Sequence, residues 1–255
     1  MLRTVRQGFG QTRRRDAWWV QPGIVAVGFG SFILYSLFSA LAWKPLFGVG
    51  YEAGGYLSPF FSPLIAADSL PVWFSPAILI LWIPLGFRTT CYYYRKSYYR
   101  AYFADPPACA VGEPLAHRRF RLETAFPFIL QNLHRFFLYL AFIPLFFLWL
   151  DALQSFRADG QWRIGLGSAI LLVNVVLLSG YSLSCHSLRH LVGGKLDCFS
   201  CSFGARARHS AWKGVTSLNE RHMAWAWCSL ISVALADLYV RLLAAGVITD
   251  PALRL

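Results

Sequence analysis

Charge is what this sequence has least of. Only 14% of its 255 residues are Asp, Glu, Lys or Arg, against about a quarter in average usage, and five long stretches have almost none. With 56% hydrophobic and 17% aromatic residues, the shortage excludes a disordered tail, a small disulfide scaffold and an ordinary nucleic-acid-binding domain. Absent too are an internal repeat, a low-complexity segment and a convincing small-residue cleavage site after the first apolar run. Length and composition therefore predict an all-α integral membrane bundle, with residues 1–255 forming one membrane domain.

A bilayer core about 30 Å thick needs roughly 20 apolar residues at about 1.5 Å each. Five spans meet that need, at about 24–43, 70–94, 125–150, 164–186 and 222–247, after a basic arm at 1–23. Pro71, Pro76 and Pro84 predict a kinked second helix, because each proline frees backbone carbonyls that neighbouring helices must satisfy. The net charge of +12 would suggest nucleic acid in a soluble chain; here it records topology. Eighteen of the 24 Lys and Arg fall in the arm and in the second and fourth connections, and five in the segments of the opposite side. That asymmetry predicts an N-terminus in the cytoplasm of a multi-pass inner (plasma) membrane protein, with the Cys- and His-rich connections on the cytoplasmic side.

The six cysteines are Cys91, Cys109, Cys185, Cys198, Cys201 and Cys228. On this topology all lie in the cytoplasm or the inner half of a span, where structural disulfides are not expected. Cys91 ends the second span, Cys185 and His186 end the fourth, His222 begins the fifth and His134 lies near the inner end of the third. Two thiolates and two imidazoles are the ligand set of a Rieske-type [2Fe-2S] centre, and two histidines on different helices could instead hold haem b. His186 and His190 share a helix face and compete for the inward direction, whereas Cys185 and His186 differ by about 100°. The soluble Rieske spacing, C-x-H with C-x-x-H, is missing, so a cluster would have to be held by the bundle. Cys198 and Cys201 form a lone C-x-x-C, half a zinc site that His190 or His209 could complete.

Polar groups within hydrocarbon mark His134, Arg135 and Asp237 as site candidates; Asp237 either serves proton movement or pairs with Arg241, one helical turn on, and pairing is the favoured reading. The arm, with Arg3, Arg6 and Arg13 to Arg15, suits anionic lipid or a partner protein, and the Tyr- and Arg-rich "TTCYYYRKSYYRAYF" suits an interfacial belt or a docking surface. Nucleic acid is not an expected partner of a helix rooted in a bilayer.

Four motifs, "RTTCYYYRKSYYRAYFADPPACAVGE", "FPFILQNLHRFF", "SCHSLRHLVGGKL" and "SLNERHMAWAWCSL", resemble the single-chain, five-helix membrane anchor of succinate dehydrogenase/fumarate reductase, respiratory complex II. Within that family the resemblance is to the class holding a Rieske-type cluster in place of haem. It implies flavoprotein and iron-sulfur partner subunits, membrane quinone as the electron acceptor, and no dicarboxylate chemistry in this chain. Cys91, His134, Cys185, His186 and His222 stand in the matching motifs as metal-ligand candidates, without a choice of four among the five. Arg135 and Tyr92 are the candidates for hydrogen bonds to quinone carbonyls. A small-solute transporter using Arg135 and Asp237 is the competing reading; five spans do not divide into two equal helix halves, which argues against a repeat-built one.

Overall fold

A computed structural model of the chain describes residues 8–42, 50–65, 71, 73–112, 124, 126, 128–158 and 161–254. Its α-helices among these residues are α1 (Val20–Leu41), α2 (Pro76–Thr90), α3 (Tyr92–Tyr102), α4 (His134–Gln154), α5 (Leu166–Leu183), α6 (His186–Gly193), α7 (Phe203–Glu220) and α8 (His222–Ala244). Four apolar helical segments are long enough to cross a bilayer, Val20–Leu41, Ile129–Gln154, Leu166–Leu183 and His222–Ala244. The second expected span is shorter as a helix. α2 has 15 residues, about 22 Å at 1.5 Å each, because Pro76 opens it, Pro71 lies outside it and the chain breaks at Cys91 instead of running on through Tyr94. Pro84 does lie inside α2.

The chain divides into two compact units. The first comprises residues 1–34 and 88–134. In it the basic arm is tied down by backbone bonds, Gly10 N–H to Gly112 O at 3.0 Å and Gly112 N–H to Gln11 O at 3.2 Å. Arg14 pairs with Asp16 and donates to the Cys109 carbonyl at 3.0 Å. Arg3 and Arg6 lie outside the described residues. α3 is held by its tyrosines: Tyr102 donates to the Ala26 carbonyl of α1 at 2.7 Å, and the buried Tyr94 ring lies 5.5 Å from Phe29.

The second unit comprises residues 35–87 and 135–255, and its centre is the antiparallel pair α5 and α8. Small residues let these helices approach, since a Cβ on Gly180 would meet the Trp225 ring at 2.5 Å. Between them the polar pair Asn174 and Ser232 is satisfied internally at 2.9 Å. The core cluster is Tyr56, Leu145, Ala152, Leu171, Val175, Ala236 and Val240. Short strands close one end: β1 (Glu52–Ala53) with β2 (Tyr56–Leu57), and a sheet of β3 (Arg157–Ala158), β4 (Gln161–Gly165) and β5 (Ala252–Arg254) in that order, all antiparallel.

At that end Asp250 gathers three donors, Tyr56 and Tyr239 hydroxyls at 2.6 Å each and the Gly167 N–H at 2.9 Å. Burial raises the Asp250 pKa, but the three hydrogen bonds and nearby Arg163 outweigh it and hold the carboxyl below its ordinary range. A carboxyl depressed in the folded state contributes stability that is present above its ordinary value of about 4. That contribution is lost as pH falls through the depressed value. Thermal stability of the assembled protein should therefore fall on acidification below pH of about 4, and Asp250→Asn should flatten that acid limb. An unchanged limb would show that other carboxyls carry it.

Buried near the same end is the expected ion pair. Arg241 Nε lies 3.0 Å from Asp237 Oδ2, with side-chain exposures of 6% and 0%. Asp237 also accepts from Tyr35 at 2.5 Å, from Ser39 at 2.6 Å and from Ser58. Arg241 donates to the carbonyls of Ala42 at 2.8 Å and Ser39 at 2.5 Å, and its guanidinium lies 5.6 Å from the centre of the Phe61 ring. Every direction around the pair is thus filled by protein, and it fastens the end of α1 and the Ser58 to Phe61 turn to α8.

Candidate functional site

Two cysteines expected as ligands sit at helix breaks of the same kind, one in each unit. In the first unit α2 stops at Thr90, Cys91 is extended (φ −65°, ψ 129°), and α3 restarts at Tyr92. Two β-branched threonines followed by Cys weaken the helix locally. In the second unit α5 stops at Leu183, Cys185 is extended (φ −63°, ψ 136°), and α6 restarts at His186. The Ser184 hydroxyl bonds back to the Tyr181 carbonyl at 3.0 Å, the local competition that unwinds helix ends. Both thiols are buried. Each is the residue that opens the following helix, and neither caps it with its side chain.

A hydroxyl residue precedes each cysteine and engages a histidine from a distant helix start. Thr90 Oγ1 is 3.0 Å from Nδ1 of His134, the first residue of α4. Ser184 Oγ is 2.7 Å from Nδ1 of His222, the first residue of α8. The Ser184 hydroxyl thus lies within hydrogen-bond distance of both His222 Nδ1 and the Tyr181 carbonyl, and a contact at Nδ1 is of the kind that orients a metal-ligating imidazole. The His222 ring stacks on Tyr181 with centroids 5.2 Å apart, and Asn219 donates to the Ser184 carbonyl at 2.7 Å, so the imidazole is oriented from two sides.

His186 goes elsewhere. It is exposed, its ring lies 4.7 Å from that of His190 as the shared helix face requires, and the two line a surface groove. Partial burial, then His190 and Arg189, lower its pKa. Tyr92, immediately after Cys91, is 66% exposed with Arg95 stacked 4.7 Å from its ring centre. Arg135, immediately after His134, is also exposed. Cys198 and Cys201 form a disulfide, with Cα atoms 5.8 Å apart, which overturns both the expectation of no disulfide and their reading as half a zinc site. Three residues of separation in a bend bring the two Cα atoms within disulfide reach.

Each unit therefore brings together one buried thiol and one oriented imidazole. Among the described residues no group of three or more His, Cys, Asp and Glu is gathered as a metal site. The donor types in each unit, a thiol and an imidazole, are those that a Rieske-type cluster takes, and in the second unit Trp225, one turn beyond His222, has a buried indole N–H with no acceptor among the described residues. A cluster sulfur would be such an acceptor. Composition and helix-end position alone do not point to the hydroxyls of Thr90 and Ser184. Their signal was present as a spacing that occurs twice, Thr90-Cys91-x-x-x-Arg95 and Ser184-Cys185-x-x-x-Arg189.

The family model for the actinobacterial succinate dehydrogenase subunit SdhC matches residues 20–246. The chain belongs to that family. No curated protein matches it. Among solved structures it is similar to a chain of the Mycobacterium smegmatis Sdh1 complex in the apo form. The two share 38% sequence identity with a TM-score of 0.84, over 98% of this chain and 96% of that one. This chain is thus the membrane anchor of a succinate dehydrogenase, a multi-pass subunit of a multi-subunit enzyme. The transporter reading gives way to that membership.

Proposed function

We propose that this anchor holds a Rieske-type [2Fe-2S] cluster through Cys91, His134, Cys185 and His222. When bound, that centre supplies a one-electron carrier between the iron-sulfur subunit and membrane quinone. The observation that carries the proposal is the twofold recurrence of hydroxyl, thiol and imidazole: Thr90, Cys91 and His134 in one unit, Ser184, Cys185 and His222 in the other. It favours these four over His186, whose ring lies beside that of His190 in a surface groove.

In this reading the hydroxyls hold each imidazole by Nδ1, which would leave Nε2 for the metal. Cys91 and Cys185, at the starts of α3 and α6, would supply the two thiolates. Tyr92 and Arg135, each next in sequence to a ligand, donate hydrogen bonds to quinone carbonyls and hold the ring in place. Succinate is oxidised on the flavoprotein subunit, and this chain contributes no dicarboxylate chemistry. The excess of Lys and Arg in the arm and in the second and fourth connections supports a cytoplasmic N-terminus in the plasma membrane. The helix ends bearing Cys91, Cys185 and His222 then face the cytoplasm, the side from which the iron-sulfur subunit would dock.

Iron and acid-labile sulfide analysis of the purified complex, with EPR of the reduced state, tests the proposal. The expected result is a Rieske-type signal in addition to those of the iron-sulfur subunit. A Soret band from extractable haem without that signal would replace the cluster by haem b, and neither cofactor would end the proposal.

A further inference from the structure

We propose that the groove between α6 and α7 is a binding site for the phosphodiester headgroup of an anionic phospholipid. The groove holds about 440 Å³ and is lined by His186, Arg189, His190, Gly193, Gly194, Lys195 and Trp212. Two of these seven are permanent cations, two more are imidazoles, and no carboxylate lines it among the described residues.

The cations are built in place. Arg189 donates from Nε to Thr216 Oγ1 at 3.0 Å and lies 4.9 Å from the centre of the Trp212 ring. Its two terminal nitrogens make no hydrogen bond among the described residues, so a fixed fork is presented to an anion with little ordering left to do. Lys195 sits at φ 58°, a conformation in which glycine would be unstrained and a lysine is uncommon. Arg208 donates to the carbonyls of Val192 at 3.0 Å and Gly194 at 2.7 Å. Those carbonyls would otherwise present the negative end of α6 to an approaching anion. Gly193 lets α7 close on α6, since a Cβ there would meet the Trp212 ring at 2.2 Å.

The depth identifies the occupant as lipid. α6 begins three residues after α5, one of the apolar membrane-crossing helices, ends at Leu183, and it is 8 residues long. At about 1.5 Å per residue the groove lies within about 15 Å of the end of the span, in or next to the headgroup layer. Trp212 is the residue type that favours that layer. Basic pockets at this level suit anionic headgroups, at about 1 kcal/mol per cation near the surface. The inference does not depend on the metal reading.

The intact complex, stripped of lipid in detergent, is mixed with vesicles of phosphatidylcholine containing phosphatidylglycerol, reisolated, and its retained lipid measured by mass spectrometry. Phosphatidylglycerol should be retained over phosphatidylcholine, and Arg189→Gln and Lys195→Gly should each lower its retention about fivefold. Lys195→Gly suits the positive φ, so its loss of lipid cannot be put down to misfolding. Equal retention by native complex and both variants would overturn the proposal. Displacement by millimolar inorganic phosphate would make it a site for a free anion instead. Protection of Lys195 from an amine-reactive reagent in the lipid-free complex would mean that a protein subunit covers the groove, and would overturn the proposal too.

Discussion

His222→Ala is expected to abolish electron transfer from succinate to quinone in the assembled complex while succinate oxidation with an artificial dye continues. The loss should exceed the roughly 10–100-fold that removal of an outer-shell partner typically costs a metal site, and the Rieske-type EPR signal should disappear with it. Ser184→Ala and Thr90→Val form the graded part of the series. They leave both imidazoles in place but remove the contacts to His222 Nδ1 at 2.7 Å and His134 Nδ1 at 3.0 Å. They should retain the signal with altered line shape and midpoint potential, and reduce quinone turnover by about tenfold. His186→Ala should leave the signal as it is, because that ring faces His190. A complex that loses the signal with His186→Ala and keeps it with His222→Ala would reverse the ligand assignment.

The largest stability effect is expected at Asp237→Ala. This change leaves Arg241 buried at 5% exposure without its counter-charge, a loss worth about 3–5 kcal/mol in comparable buried pairs. It also strands the hydroxyls of Tyr35, Ser39 and Ser58, which all donate to the carboxylate. The thermal midpoint of the purified complex and its yield should both fall sharply. Asp237→Ala combined with Arg241→Met should recover much of the loss, since removing both charges eliminates the unpaired cation. Quinone turnover per assembled complex should change little in the double variant. A single variant as stable as the native protein would show that the pair is not what fastens α1 to α8.

Much of this was readable from hydropathy, because a bilayer imposes one length scale on every segment that crosses it. α1, α4, α5 and α8 lie close to where uncharged runs of sufficient length predicted helices. Helical periodicity also puts Asp237 and Arg241, and His186 and His190, on shared faces one turn apart, and each pair is in contact in the structure. The breaks were not legible. A run such as "RTTCYYYRKSYYR" reads as one continuing helix, because the interruption at Cys91 depends on a single extended residue. The Cys198–Cys201 disulfide was likewise excluded on compartment alone, whereas the local bend brings the two residues within reach.

The amino-acid order by itself determined that this chain lives in a membrane, which residue types gather near the helix ends, and the family to which its motifs are similar. Hydrocarbon thickness and charge exclusion act on every residue independently of its neighbours in space, so they can be read along a line. Tertiary structure alone decided which imidazoles are aimed by a hydroxyl, and how the carboxylate of Asp237 is satisfied. Ser184 and His222 are 38 residues apart, and Ser58 and Asp237 are 179 apart. A hydrogen bond exists only where the packed backbone brings its two ends within about 3 Å.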